Sequence, residues 1–212
     1  MLRRSLLVLL SALSLAACAA TTATLRAPDA LERQGTVAQS PARRSIDVYV
    51  GQRNLDTNDW APVDEHTAFG AIFVYEPTDL AFGIEAGIQH SEADPNNFLV
   101  PILGTVDFRS EITEVYGGIH KSIRVASSIE PYIGAGLSFA TVRFEGSGGG
   151  GSSSDDDTTS GVYIHAGVAF LPGPRLRVGV DVRTVMGTDV TLFGVPADIN
   201  SNQVVAFVGG SF

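Results

Sequence analysis

The sequence predicts an all-β protein: eight antiparallel strands closed into an up-and-down transmembrane β-barrel. Three observations carry that expectation. From Ser45 onward the chain divides into eight segments of period two, near residues 45–53, 66–76, 79–90, 110–122, 131–144, 160–171, 175–187 and 202–212. Short and long connections alternate between them. The composition also argues against a wide water-exposed surface: 17% of residues are charged, 23 are glycine, and of the 14 basic residues Lys121 alone is a lysine. A net charge of −9 removes the electrostatic basis for holding nucleic acid. The lone cysteine, Cys18, excludes a disulfide framework and a cysteine-built zinc site.

Met1-Leu2-Arg3-Arg4 is a positively charged start, followed by an apolar run from Leu6 to Ala17. The run falls short of the roughly 20 residues that a spanning helix needs. It has the layout of a secretory signal peptide, assigned to residues 1–17. Leu15-Ala16-Ala17-Cys18 closes it and resembles the bacterial lipobox, which implies lipidation of Cys18 as the mature N-terminus. Ala19 stands next to it where some lipoproteins carry an aspartate, which by the same resemblance implies sorting to the outer membrane. Ordinary cleavage after Ala20 is the alternative. Residues 18–44 read as the lipidated N-terminus and a periplasmic linker, rich in Thr and Ala, with Pro28 and Pro41 and no sustained apolar period. Such a linker of roughly 26 residues reaches about 28 Å when flexible.

The strands follow in order. In the first, Ile46, Val48 and Val50 oppose Asp47, Tyr49 and Gly51. The second is the least regular, since Ile72 and Val74 fall on the face that should be polar. The third sets Leu80, Phe82, Ile84, Ala86 and Ile88 against Ala81, Gly83, Glu85, Gly87 and Gln89. The fourth starts weakly but gathers Glu114, Tyr116 and His120 on one face, and the fifth, from Pro131 to Phe139, is Gly-rich. In the sixth, Val162, Ile164, Ala166, Val168 and Phe170 oppose Tyr163, His165 and Gly167. The seventh alternates strictly, Leu176, Val178, Val180 and Val182 against Arg177, Gly179, Asp181 and Arg183. The eighth runs Val204, Ala206, Val208, Gly210, Phe212 along one face.

The connections at Pro77-Thr78, Ile123–Glu130 and Pro172-Gly173-Pro174 are short; those at 54–65, 91–109, 145–159 and 188–201 are long. Outer-membrane barrels share this asymmetry and keep their short turns in the periplasm, which puts both ends of the barrel there. A soluble barrel such as a lipocalin alternates too, but with its apolar residues inside. Here one face is continuous and β-branched, as lipid requires, and the other carries Gly, Tyr, His and a few charges, as a narrow closed interior requires. Tyr75, Phe82, Phe170 and Phe212 gather where strands leave the bilayer on the periplasmic side, the place of an aromatic girdle.

The alternation that runs to Phe212 resembles the signal that outer-membrane barrels present to their assembly machinery. Pro131-Tyr132-Ile133-Gly134-Ala135-Gly136-Leu137-Ser138-Phe139 resembles a strand of the small OmpA/OmpX-type barrel family. The resemblance covers 45–212. It implies an outer-membrane protein whose partners are outer-membrane lipids and the barrel assembly machinery, with no cofactor. As nothing follows Phe212, the peptidoglycan-binding domain of some relatives is expected to be absent.

By parity the interior receives Tyr49, Gln89, Tyr116, Tyr163 and His165 together with the charged or titrating set Asp47, Arg53, Glu85, Glu114, His120, Arg177, Asp181 and Arg183. In so narrow a barrel these charges are expected to pair into a polar plug; a path for protons or small solutes is the other reading. His90-Ser91-Glu92 is the one candidate for lipid-modifying chemistry, but neighbours on a strand face opposite ways, so no catalytic residue is assigned. His66, His120 and His165 fall on three strands without regular spacing, so no metal site is expected. The low-complexity run from Gly146 to Asp157 reads as a flexible solvated tip whose consecutive aspartates lack the spacing of a calcium loop. Trp60 and Phe98-Leu99-Val100, in the long loops, are exposed apolar candidates for meeting an unknown extracellular partner. The expected role is structural or surface-interacting; a narrow channel and a lipid A-modifying enzyme are the competing classes.

Overall fold

A computed structural model describes residues 42–93, 98–100, 104–148 and 151–212 of the chain. The signal peptide, Cys18 and all of the linker up to residue 41 lie outside the described residues. Eight strands make the barrel: β1 (Arg43–Leu55), β2 (Glu65–Glu76), β3 (Gly83–Ala93), β4 (Gly104–Ser122), β5 (Ile129–Gly148), β6 (Gly151–Phe170), β7 (Leu176–Met186) and β8 (Ser201–Ser211). Each pairs antiparallel with the next, β3 with β4 from Gly83↔His120 to Ala93↔Ser110. The seam closes where β8 meets β1, from Ser45↔Ser211 to Leu55↔Ser201. In the apolar band every barrel strand is thereby paired on both sides, the condition for a sheet to sit in hydrocarbon.

The two faces are sorted as lipid demands. Ile46, Val48, Val50, Ile84, Ile88, Val180, Val182, Val204 and Val208 point outward and are about half exposed, while Asp47, Glu85, Glu114 and Arg183 point inward and are buried. A lipocalin-like barrel has the reverse polarity. On β2 the two irregular residues face inward, Val74 buried and Ile72 packed against the lumen aromatics, which is why that strand lacks a polar stripe. Phe82, Phe170 and Phe212 are exposed at the short-turn end, where Tyr75 pairs with Arg44.

The strand ends differ from expectation. β1 begins at Arg43, inside the expected linker, and β3 begins at Gly83, so the β2–β3 connection takes in Leu80 to Phe82. β4, β5 and β6 run 19, 20 and 20 residues, well past the apolar band. Gly146–Asp157 is therefore mostly a β-hairpin rather than a flexible tip, with Phe144↔Asp155 and Gly148↔Gly151 in register. Its aspartates are what the sequence pattern misreads. Asp157 accepts the Thr191 amide at 2.7 Å and Asp155 accepts the Phe193 amide, so both latch onto a neighbouring hairpin, Asp189–Leu192 with Val195–Asp198. Trp60 is likewise not exposed: at 3% it is buried against Phe144, and its indole N–H donates to Asp198 O at 2.6 Å. Phe98–Val100 forms a short strand on β4; its side chains lie outside the described residues.

Candidate functional site

The described part of the barrel contains three polar clusters stacked along its axis under an apolar cap. Eight strands leave an interior that side chains fill, and the glycines decide how. Tyr49 lies across Gly70, Tyr116 across Gly87, Tyr163 across Gly118 and Tyr132 across Gly167; a Cβ at any of these glycines would come within 2.7 Å of the ring or hydroxyl. Tyr49, Tyr116 and Tyr132 thus use the gap on an adjacent strand, and Tyr163 reaches past β5 to the gap on β4.

At the short-turn end Arg177 bridges Asp47 (3.3 Å) and Glu130 (2.7 Å), and Arg43 adds a second bond to Glu130 at 2.6 Å. Ser122 donates to Glu76 beside them. In the middle, Glu85 receives the Tyr163 hydroxyl at 2.6 Å and lies 2.8 Å from His120 Nδ1 and 3.0 Å from His165 Nε2. His165 Nδ1 is 2.8 Å from Asp181. Above that, Glu114 takes Arg53 (2.9 Å), Arg183 and the Ser138 hydroxyl (2.6 Å). The Arg183 guanidinium stands over the Tyr116 and Tyr163 rings, 3.9 and 4.4 Å from their centroids, a pair of cation–π contacts beside N–H groups that have no hydrogen-bond acceptor. The space left between the middle and short-turn layers is a cavity of about 30 Å³, enough for one water.

The long-loop mouth is closed by side chains from scattered positions. Leu55, Trp60, Val63, Ile112, Val142, Val190 and Ile199 form one buried apolar cluster over the lumen. Each reads in sequence as an isolated loop or strand-end residue, and only the closed barrel brings them together.

All eight charged or titrating positions expected in the lumen are buried there, as are Tyr49, Gln89, Tyr116, Tyr163 and His165. Sequence reasoning missed Glu130, the fully buried acceptor of three guanidiniums, those of Arg43, Arg177 and, at 3.4 Å, Arg124, because Glu130-Pro131 reads as a turn. It also missed that register, not spacing along the chain, decides which histidines meet: His120 and His165 converge on Glu85, while His66 lies apart, beside Arg53. His90 faces outward with Nδ1 3.0 Å from Thr113 Oγ1, whereas Ser91 is buried on the other face. The imidazole therefore does not reach the hydroxyl, and Glu92 pairs with Arg109 instead.

A model of the family described as the outer membrane protein β-barrel domain matches residues 5–212. No curated protein matches. Among solved structures, Ail of Yersinia pestis, the attachment invasion locus protein, in complex with the heparin analogue sucrose octasulfate, aligns with a TM-score of 0.54 at 15% identity, over 82% of this chain and 100% of that one. OprG of Pseudomonas aeruginosa gives 0.51 at 16% identity, over 81% and 94%. A major outer membrane protein of Thermus thermophilus gives 0.54 at 10% identity, over 82% and 100%. At such identities the likeness is one of fold.

Proposed function

This chain belongs to the outer membrane protein β-barrel domain family, and from that premise we propose that it is a closed, non-conducting barrel whose work is done at its protruding end. The observation that carries this is the filled and capped lumen beneath an extended β-structured crown. At about 3.4 Å per residue and a tilt near 40°, strands of 20 residues rise roughly 50 Å against a hydrocarbon core of about 30 Å. The surplus lies on one side only. The crown is a surface for an extracellular partner, with the short turns and both termini in the periplasm. Acylated Cys18 anchors the N-terminus after removal of 1–17, with the chain from there to the start of β1 at Arg43 as linker, and Phe212 engages the assembly machinery.

The crown's charge narrows the partner. Its described edge carries Asp59, Glu92, Glu111, Glu145, Asp156 and Asp198, against Arg109 and Arg143. A cationic surface is favoured there, and a polyanion such as the heparin analogue bound by Ail is disfavoured. Planar-bilayer recording tests the closed lumen. The expected trace is flat; a stable unitary current would return the protein to the channel class. Lipid A profiles with and without the gene are expected to be identical, and palmitate labelling is expected to vanish in Cys18→Ser.

A further inference from the structure

We propose that Glu85, His120 and His165 form a site for one divalent metal ion of the zinc type, held inside the barrel and independent of the crown. Register builds it. His120 on β4 pairs with Gly134 on β5, and Gly134 pairs with His165 on β6, so the two imidazoles flank a position that has no side chain. A Cβ at Gly134 would stand 2.1 Å from His165 Nε2 and 2.8 Å from Glu85 Oε1. The glycine keeps open the space in which the three side chains converge.

The donors are two imidazole nitrogens and one carboxylate, the set that borderline ions such as zinc accept. Their ligand atoms all lie within 4.8 Å of one another. A tetrahedral ion at about 2.1 Å from each would hold them roughly 3.4 Å apart. The two carboxylate–imidazole separations, now 2.8 and 3.0 Å, would each open by about half an ångström. An outer shell is already in place. Asp181 accepts from the far nitrogen of His165 at 2.8 Å, and the Tyr163 hydroxyl donates to Glu85 at 2.6 Å, the carboxylate–histidine–metal arrangement that orients ligands. The small cavity touching His120, His165 and Asp181 has room for a water as fourth ligand.

Charge points the same way. Asp47, Glu114 and Glu130 each have a guanidinium on their oxygens. Among the described residues Glu85 and Asp181 have no salt-bridged arginine, only the two imidazoles. One dication balances both carboxylates; two imidazolium rings are the competing source of that charge.

The experiment uses the full-length barrel purified in detergent, stripped with chelator, and refolded with Zn²⁺, Co²⁺ or Ca²⁺. One zinc per chain is expected to survive desalting and raise the melting temperature, Co²⁺ to give the intense visible absorption of a four-coordinate site, and Ca²⁺ to do neither. His120→Gln and His165→Gln should lose the ion, Asp181→Asn should bind it 10- to 100-fold more weakly, and His66→Gln should bind as wild type. Heat-modifiable gel mobility checks that each variant folds. Wild-type protein that retains no zinc and melts unchanged overturns the proposal whatever the variants do, leaving the cluster as two carboxylates held by imidazolium rings. So does zinc retained by the His120→Gln/His165→Gln double variant, which would place the ion elsewhere.

Discussion

Glu114→Gln is the substitution most exposed to refutation. The carboxylate is fully buried and is the shared counter-ion of two guanidiniums, Arg53 at 0% exposure and Arg183 at 5%. Glutamine keeps the shape and still accepts from Ser138, but it strands both cations. Breaking a buried ion pair from one side costs about 3–5 kcal/mol, or two to nearly four decades in the unfolding equilibrium at about 1.4 kcal/mol per decade. Glu92→Gln is the matched control, since its pairing with Arg109 is roughly half exposed on both sides and is worth at most about 1 kcal/mol. Arg183→Ala should carry a smaller charge penalty than Glu114→Gln, because Arg53 remains on the carboxylate. The two substitutions should also be non-additive, as they break the same contact. The assay is reversible urea unfolding of the refolded barrel in micelles, followed by far-UV circular dichroism and gel mobility. If Glu114→Gln and Glu92→Gln unfold within about 1 kcal/mol of each other, the interior is hydrated and the closed-lumen reading fails.

Further outcomes follow from the same packing. Gly87→Ala puts a methyl 2.3 Å from the Tyr116 ring and should cost roughly 1–3 kcal/mol, whereas Gly173→Ala, with nothing within 4 Å, should change stability by less than about 0.5 kcal/mol. Trp60, the sole tryptophan, should emit to the blue and resist iodide quenching; Trp60→Ala should make 56–64 a protease-sensitive loop. Phe212→Ala should lower the fraction assembled in cells while leaving the melt of refolded barrel unchanged, since the ring is exposed and its amide still bonds Arg44 O. The Asp157 carboxyl, in the crown, is held below the usual aspartate range by the Thr191 and Thr158 amides. A lowered folded-state value means that its support for the 189–198 hairpin is present above the ordinary aspartate range and is lost as pH falls through the depressed value. Thr191 amide exchange should therefore quicken on acidification, and Asp157→Asn should abolish that pH dependence.

The transmembrane part was legible because a pleated strand between lipid and a narrow lumen must alternate, residue by residue. Val180-Asp181-Val182-Arg183 states both faces at once. Above the bilayer that constraint lapses. On β5 and β6, Gly, Ser, Thr and Asp meet water on both faces, so 146–157 carries no period although it is paired throughout its described length. Parity also says which side chains are inside without saying which touch. Arg53 with Glu114, or Glu85 with His165, follows from how the strands are staggered, and no short-range pattern encodes the stagger. The apolar cap was invisible for the same reason, since Val190 and Ile199 each stand between polar neighbours and Trp60 lies in a long connection with no strand period.

On the proposed reading, the cap also bears on how the crown would meet a partner. A loop anchored by a buried indole bonded to Asp198, and a hairpin latched by Asp155 and Asp157, have already lost most of their freedom. A partner that docks there does not have to order them, so less of its contact energy is spent on immobilising the surface. Were these segments floppy, an acidic crown would attract cations without selecting among them. Held on the rim of a rigid barrel, the same carboxylates present fixed spacings, and selectivity then depends on geometry as well as charge. Trp60→Ala tests that link directly: it removes no charge from the edge, so a loss of partner binding in that variant would come from lost order, while retained binding would mean that charge alone suffices.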